Sequence, residues 1–376
     1  MMKMQKVILT GFLLILWLVG PAYAQEEEIN VAGLVLLKYQ NNLPDNMLST
    51  KTVVLVSTPN KPGESIPEDF KPLAEEAHPV LAKAGIDAVG YYFYDDVYSG
   101  PEVRAAFARS WQQREIKNLL LIVKSELNKK GNMVYLLLAT PFNGQPSLMT
   151  EGQTAWKTTS KSLKKALEKL ARAANKQTSN NLLIAEVPEY FNDVPLIKGQ
   201  RVESYYTDLK LGKLAVPKFA SGQLPGKRPG GLVNTAVSNW RQQAAEQSVR
   251  FNTELEQIMG EYPFQYGLVE PESSEEELLK AGYTYVLYNI HTAGISVRRL
   301  LNYPVDEEEE YYITPKVVNG KPTMRYIPIK APVYKYYIKN LKTGNVYLGK
   351  QWDADETWQE ALRNTIANIK RELKQR

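Results

Sequence analysis

The sequence predicts an α/β (α+β) protein made of two layered units. Short runs rich in β-branched and aromatic residues alternate with amphipathic helical segments. Two tight turns that contain glycine join neighbouring strand candidates in a hairpin arrangement. The order β-α-β-α-β-β-α occurs in both halves, so each half has enough strands and helices to bury its own core.

The N-terminus has the features of a secretory signal peptide. Lys3 and Lys6 precede an apolar run at 7–20, and Ala22 and Ala24 supply the small residues of a cleavage site. We therefore predict a signal peptide at 1–24, with an uncleaved N-terminal anchor as the alternative. The cleavage site lacks a cysteine, which argues against the lipid attachment of a bacterial lipoprotein.

Composition indicates an exported globular chain, periplasmic or secreted, with no transmembrane segment after signal removal. The 376 residues include no cysteine, which excludes thiol nucleophiles and zinc–thiolate sites. The formal charge of +5 falls to +3 when Lys3 and Lys6 leave with the signal peptide. The remaining basic residues form no stripe, so we predict no nucleic-acid partner.

The first predicted domain spans 25–180. Its strand candidates are bounded by turns, and its helix candidates place apolar residues at helical spacing. The predicted strands are 52–57, 86–94, 119–124 and 133–140, and the predicted helices are 69–84, 101–115 and 156–174.

A Pro/Gly-rich linker is predicted at 181–235. Its glycines at 226–231 resemble a phosphate loop, but they neither follow a strand nor open a helix. The second predicted domain, 236–376, starts with a long helix at 236–259. Its further strands are 263–269, 283–290, 333–341 and 345–352, and its further helices are 271–281, 295–303 and 358–373.

The shared element order suggests a divergent internal repeat. Two further matches support it, an Ala-Gly pair after the first helix of each unit and a Gly-Asn pair before a later strand. These pairs are Ala84-Gly85 with Ala281-Gly282, and Gly131-Asn132 with Gly344-Asn345. The alternative is a chance likeness, because helices must cover a sheet face in any α/β domain.

Few residues are candidates for catalysis. Asp95 and Asp96 follow a predicted strand, where paired carboxylates can act as acid and base. His291 also follows a strand, a common position for catalytic groups in α/β proteins. The alternatives are a turn and helix cap for the aspartates and a hydrogen-bonded loop residue for the histidine. The sequence has no nucleophile-elbow or histidine-pair motif, and we predict neither a metal nor a cofactor.

Tyrosine is abundant, with 23 residues, and it clusters in strand candidates. Tyr283 and Tyr285 alternate onto one face, as do Tyr334 and Tyr336. Tyrosine combines an apolar ring with a polar hydroxyl, which suits contact surfaces. These four residues are the predicted binding residues, and core filling by strand-forming tyrosines is the alternative.

The second unit resembles small α/β domains of bacterial envelope accessory proteins, of the type found at the N-terminus of TolB. Segments 278–286 and 342–349 and the closing helix 358–373 carry the resemblance. It implies an adaptor or assembly role and supplies no catalytic residues. The first unit resembles only uncharacterised exported proteins.

Together these features predict an exported, non-catalytic binding or adaptor protein of the bacterial cell envelope. Its expected partner is an envelope protein or a glycan, recognised through sheet surfaces. The alternative is an extracytoplasmic hydrolase that uses Asp95 and Asp96 or His291. A purely structural assembly component is a third possibility.

Overall fold

The computed structural model describes residues 37–128, 132–181, 183–191, 194–220, 234–306, 308–318 and 321–374. The predicted signal peptide, with Ala22 and Ala24, and the glycine-rich stretch 226–231 lie outside these residues. None of the helices in the described ranges has the length and apolar content needed to cross a bilayer.

The first half of the protein comprises the first sheet and the helices packed on it. Its strands are β1 (Lys38–Gln40), β2 (Lys51–Ser57), β3 (Asp87–Phe93), β4 (Ile116–Asn128), β5 (Asn132–Pro141) and β6 (Thr154–Ser160). Its helices are α1 (Lys71–Lys83), α2 (Tyr94–Val97), α3 (Pro101–Gln113) and α4 (Leu163–Ala174). The predicted helix 156–174 is wrong in its first third, because Trp156 belongs to β6 and helical spacing begins only at Leu163.

The second half comprises the second sheet, its helices and a separate hairpin. The strands of the sheet are β7 (Arg201–Val202), β8 (Leu214–Pro217), β9 (Tyr266–Val269), β10 (Tyr285–Ala293), β13 (Pro332–Asn340) and β14 (Val346–Tyr347). The hairpin is β11 (Tyr311–Val318) with β12 (Lys321–Pro328). The helices are α5 (Asn234–Met259), α6 (Glu275–Lys280), α7 (Gly294–Leu300) and α8 (Trp358–Glu372).

The two sheets have the same strand order and the same strand senses in the described part of the chain. The first sheet runs β1-β6-β5-β4-β2-β3, and the second runs β7-β14-β13-β10-β8-β9. Along each row the pairings are parallel, antiparallel, antiparallel, parallel and parallel. The fold is therefore α/β (α+β), as predicted, with two mixed sheets.

The elements of the two halves that are equivalent in the sheets differ from the pairs of elements that the sequence suggested. By sheet position, β8 corresponds to β2 and α5 lies where α1 does, whereas the sequence pattern matched β9 to β2. Ala84-Gly85 and Ala281-Gly282 therefore follow non-equivalent helices, and Gly131-Asn132 and Gly344-Asn345 also precede non-equivalent strands. The sequence-based correspondence was displaced by one strand, because β8 was assigned to the linker.

The predicted linker 181–235 is wrong at two segments. β7 pairs with β14, and β8 lies between β9 and β10 in the second sheet. Leu214, Ala215 and Val216 are almost fully buried, so this short segment is a central strand. A four-residue strand is too short to show a period in the sequence, which explains why it was overlooked.

Apolar packing joins the halves. In the first half, α1 and α4 cover one face of the sheet, and α3 covers the other. In the second half, α5 and α8 cover one face. The opposite face contributes Ile290, Val333 and Tyr337 to the same apolar cluster as Val103 and Trp111 of the first half. The two sheets therefore share a core, and the carboxyl end of β10 meets the segment between α2 and α3.

Candidate functional site

The short segment that follows β3 makes the polar contacts between the halves. Asp96 of α2 accepts a 2.6 Å hydrogen bond from the Thr292 hydroxyl of β10. The backbone N–H of His291 donates to the Ser99 carbonyl at 2.8 Å, so this segment continues the pairing along β10 beyond β8. A Cβ added at Gly100 would lie 2.7 Å from the Asn289 carbonyl oxygen, so the close approach requires glycine.

The beginning of α3 adds an ionic contact between the halves. Glu102 accepts a 2.8 Å hydrogen bond from the Tyr337 hydroxyl and pairs with Lys339 of β13. Lys339 also pairs with Glu275 of α6 at 2.6 Å. Burial alone would lower the pKa of Lys339, but the two adjacent carboxylates raise it, so the ammonium stays charged.

A cleft of about 770 Å³ opens at this junction. We call it the junction cleft. Both halves line it, chiefly with residues of α2, α3, β8 and β10 and with the chain that follows β8. Its lining includes Asp95, Glu102, Arg104, Pro217, Phe219, Tyr288, His291, Tyr334, Tyr336 and Lys339. The volume lies in the range of sites that hold small molecules.

The junction cleft lies at the topological switch point of the second sheet. From β8 the chain passes through α5 to β9 on one side, and then through α6 to β10 on the other side. α5 and α6 cover opposite faces. In open α/β sheets this arrangement leaves a crevice at the carboxyl ends of the two central strands, where ligands bind. Pro217 at the end of β8 and His291 near the end of β10 both line the cleft.

The chain after β8 is fixed by α5. The backbone N–H of Phe219 donates to the Asn252 side-chain oxygen at 2.7 Å, and the Asn252 amide donates to the Phe219 carbonyl at 3.1 Å. The Phe219 ring packs against Trp358 of α8, with ring centres 4.8 Å apart. Residues that looked like linker thus form a rigid wall of the cleft.

Asp95 and His291 line the same cleft, whereas Asp96 does not line it. Asp95 is accessible at the cleft wall, while Asp96 is buried against Thr292. Partial desolvation by the protein atoms that surround the cleft, together with the adjacent Asp96 charge, raises the pKa of Asp95 to about 6. Burial likewise raises the pKa of Asp96, although hydrogen bonds from Thr292 and Ser296 oppose that effect.

His291 is held flat against Tyr334. The two rings are 3.9 Å apart and only 8° from parallel. Desolvation by burial lowers the pKa of His291 to about 4, so its imidazole is neutral at pH 7. Among the described contacts, no hydrogen bond joins Asp95 to His291. The cleft therefore holds a carboxyl group and an uncharged imidazole that are not assembled into a hydrogen-bonded dyad.

The four tyrosines predicted for binding do not form an exposed sheet face. Tyr285, Tyr334 and Tyr336 are buried, and Tyr283 is half-buried outside β10. Tyr285 donates to Asp208 at 2.8 Å. Tyr334 and Tyr336 nevertheless line the junction cleft, so a binding role for these two stays a prediction.

The other histidine and the densest acidic loop of the sequence are absent from the described lining of the cleft. The buried His78 ring contacts the Tyr91 hydroxyl at 3.0 Å and the Ala185 carbonyl at 2.9 Å, a satisfied core position. In the acidic loop after α7, Glu309 pairs with Arg298. The described residues contain no group of three or more His, Asp or Glu side chains placed to bind a metal.

Sequence patterns alone missed several residues of the cleft. Arg104 and Arg109 look like ordinary charges on the outer face of a helix, and Lys198, Lys218 and Phe219 were assigned to the linker. Only the pairing of β8 with β10 reveals that these residues share a cleft.

No protein-family model matches the chain, and no curated protein matches it either.

Proposed function

We propose that this protein is an exported binding protein of the cell envelope whose ligand, a glycan, occupies the junction cleft. The position of the cleft at the switch point of the second sheet is the observation that carries the proposal. Export to the periplasm or the medium rests on the predicted signal peptide at 1–24.

The lining of the cleft supports a glycan. Aromatic side chains such as Tyr98, Tyr288 and Phe219 lie there beside carboxyl, imidazole and basic groups. Aromatic rings can contact the apolar face of a sugar, while polar groups bind its hydroxyls. The proposal keeps the binding role expected from the sequence but moves it from open sheet surfaces to a cleft.

Filling the cleft tests this proposal. Ala105 of α3 lines the cleft, so Ala105→Trp should occupy part of it. Ala171→Trp on α4, at a similarly half-buried position away from the cleft, is the matched control. Mature wild-type protein incubated with envelope glycan extracts should carry an adduct in native mass spectra, as should Ala171→Trp. Loss of the adduct in Ala105→Trp alone supports the cleft, and an adduct that survives there contradicts it.

A hydrolase is the second candidate. The observation that favours it is the presence of Asp95 and His291 in one cleft, with a pKa of about 6 for Asp95 that suits a general acid or base. A panel of nitrophenyl glycosides, esters and phosphates would test it. Turnover by the wild type that Asp95→Asn abolishes would establish catalysis. Turnover that Asp95→Asn leaves unchanged, or none at all, counts against this candidate.

We also propose that the two halves arose by duplication. The identical strand order and pairing senses support this, because two unrelated mixed sheets have many alternative orders. Superposing β2, β3, β4, β5 and β6 on β8, β9, β10, β13 and β14 tests it. Strands that superpose only under the other correspondence, with β9 on β2, would contradict duplication in this register.

A further inference from the structure

Three basic side chains line the junction cleft without an acidic partner. Arg104 and Arg109 lie on α3, and Lys198 lies in the segment that leads to β7. Among the described residues, no ion pair or side-chain hydrogen bond engages any of the three. The other basic residues of the lining differ, because Lys218 pairs with Glu270 and Lys339 pairs with two glutamates.

Arg104 occupies a position that leaves hydrogen-bonding capacity unused. Its guanidinium carbon lies 5.8 Å from the centre of the Tyr98 ring, and Tyr98 stacks on Tyr94 at 4.4 Å. Its Nε atom is buried and makes no hydrogen bond in the described structure. Its two terminal nitrogens are not among the buried unpartnered atoms of the described residues, so they stay available to an acceptor in the cleft.

The geometry of α3 suits two-point recognition. Arg104 and Arg109 are five residues apart, so their Cα atoms lie about 7 to 8 Å apart along the helix axis and about 140° apart around it. Both line the cleft, as does Ala105 between them. Two arginines that enter one cleft from different sides of a helix can each contact an acidic group of neighbouring sugar units.

The acidic residues of the cleft do not neutralise the positive charge of Arg104, Arg109 and Lys198. Glu102 and Glu275 are engaged by Lys339, which leaves Asp95 as the unpaired carboxyl group of the described lining. The lining has five basic and three acidic side chains, an excess of positive charge.

We infer that the junction cleft selects an acidic glycan, whose carboxylate or phosphate groups pair with Arg104 and with Arg109. This inference rests on the proposed glycan-binding function and specifies its ligand. Arginine forms bidentate hydrogen bonds with both kinds of acidic group, and Tyr98 places an aromatic ring beside them.

Three sugars with the same galactose ring and different substituents test the inference. Galacturonate carries a carboxylate, galactose 6-phosphate carries a phosphate, and galactose is neutral. Saturation-transfer NMR titrations should show binding of at least one acidic sugar to the wild type and much weaker binding of galactose. The preference between the two acidic sugars identifies the acidic group. Equal binding of galactose, or no binding of either acidic sugar, would overturn the inference.

Substitutions locate the interaction. The double variant Arg104→Gln, Arg109→Gln should weaken binding of the acidic sugar by about 10-fold or more, because neither position can then form a charge-assisted hydrogen bond with the acidic group. The exposed Arg172→Gln on α4 is the matched control and should bind as the wild type does. Thermal melting of each variant verifies that it is folded. A double variant that is folded and binds as tightly as the wild type refutes the role of the two arginines.

The native adduct separates this inference from the function on which it rests. An adduct lost in Ala105→Trp but kept in the double arginine variant would leave the cleft function standing and overturn the acidic-group inference. An adduct kept in Ala105→Trp would overturn the cleft function itself. Loss in both variants supports both proposals.

Discussion

Thr292 and Asp96 are 196 residues apart in the chain, and their side chains form a buried 2.6 Å hydrogen bond across the two halves of the protein. Thr292 belongs to β10 of the second sheet, and Asp96 belongs to the short helix α2 that follows β3 of the first sheet. The same helix supplies Asp95 to the junction cleft. The bond therefore fixes one wall of the cleft relative to the other.

Removing this hydrogen bond should destabilise the fold. Thr292→Val keeps the shape of the side chain but leaves the buried Asp96 carboxylate short of one donor. We expect the free energy of unfolding to fall by about 1 to 3 kcal/mol, the cost of an unsatisfied buried group. Urea denaturation followed by circular dichroism would measure it.

The control for this prediction is Thr159→Val. Thr159 is exposed on β6, and its hydroxyl makes no hydrogen bond in the described structure. The same chemical change there should alter stability by less than about 0.5 kcal/mol. Equal effects at both positions would show that the contact between the halves contributes nothing.

Replacing one member of the Lys335–Asp353 ion pair should lower the stability of the fold more than Thr292→Val does. Both side chains are almost fully buried, with Nζ 2.6 Å from the carboxylate, and Asp353 also accepts from Thr365 and Asn368. Lys335→Met would leave a buried carboxylate without its counter-charge. We expect a loss of about 3 to 5 kcal/mol in the free energy of unfolding.

An exposed pair supplies the comparison. Lys280 and Glu276 are 2.7 Å apart on the surface of α6, so Lys280→Met should cost about 1 kcal/mol or less. Adding Asp353→Asn to Lys335→Met should recover part of the loss, because the neutral amide no longer needs a cation. Strictly additive losses in this double variant would contradict the pairing.

Sequence patterns were sufficient for the long elements and insufficient for the cleft. The helix 358–373 was predicted nearly to its ends, because its apolar residues recur at helical spacing over four turns. β8 was missed, because four residues that are buried on both faces show no alternation. The hairpin β11–β12 was missed for another reason, since its outward face also carries large apolar residues such as Ile313 and Tyr326.

The candidate site was predictable only in part. Asp95 and His291 could be singled out, because each follows a strand where α/β proteins place polar groups. That they share one cleft depends on how the two sheets pack, which is a property of residues distant in the chain. The arginines of α3 could not be recognised, since a helix that carries charges on its outer face is the ordinary pattern of a solvated surface.

His291 should make stability depend on pH. Its folded pKa of about 4 lies below the unfolded value of 6.5, so the unfolded chain binds the proton first as the pH falls. The free energy of unfolding of the wild type should therefore decline from pH 7 to pH 4. His291→Phe should keep the ring stacking on Tyr334 and remove this pH dependence. The free energy of unfolding of the variant should therefore fall by about 1 to 3 kcal/mol less than that of the wild type between pH 7 and pH 4. Parallel stability curves for the two proteins would contradict the burial of a neutral imidazole.

Asp95 should change the stability of the fold with pH in the direction opposite to His291, over an overlapping pH range. Its folded pKa of about 6 lies above the ordinary 3.8, so the folded protein binds the proton more tightly, and stability should fall as the pH rises from 4 to 7. Asp95→Asn should therefore be more stable than the wild type at pH 7 and equally stable near pH 4. Because Asp95 is accessible to solvent, we expect a gain below about 1 kcal/mol.

The exposed Asp45→Asn should show no such gain, and thermal melting between pH 4 and pH 8 would compare the two variants. The opposing slopes of Asp95 and His291 should partly cancel in the wild type. The stability difference from the wild type should grow toward pH 4 for His291→Phe and toward pH 7 for Asp95→Asn, and the pH slope of the variant with both substitutions should lie between the slopes of the two single variants. Differences from the wild type that both grow toward the same end of the pH range would contradict the opposite effects that we assign to the two groups.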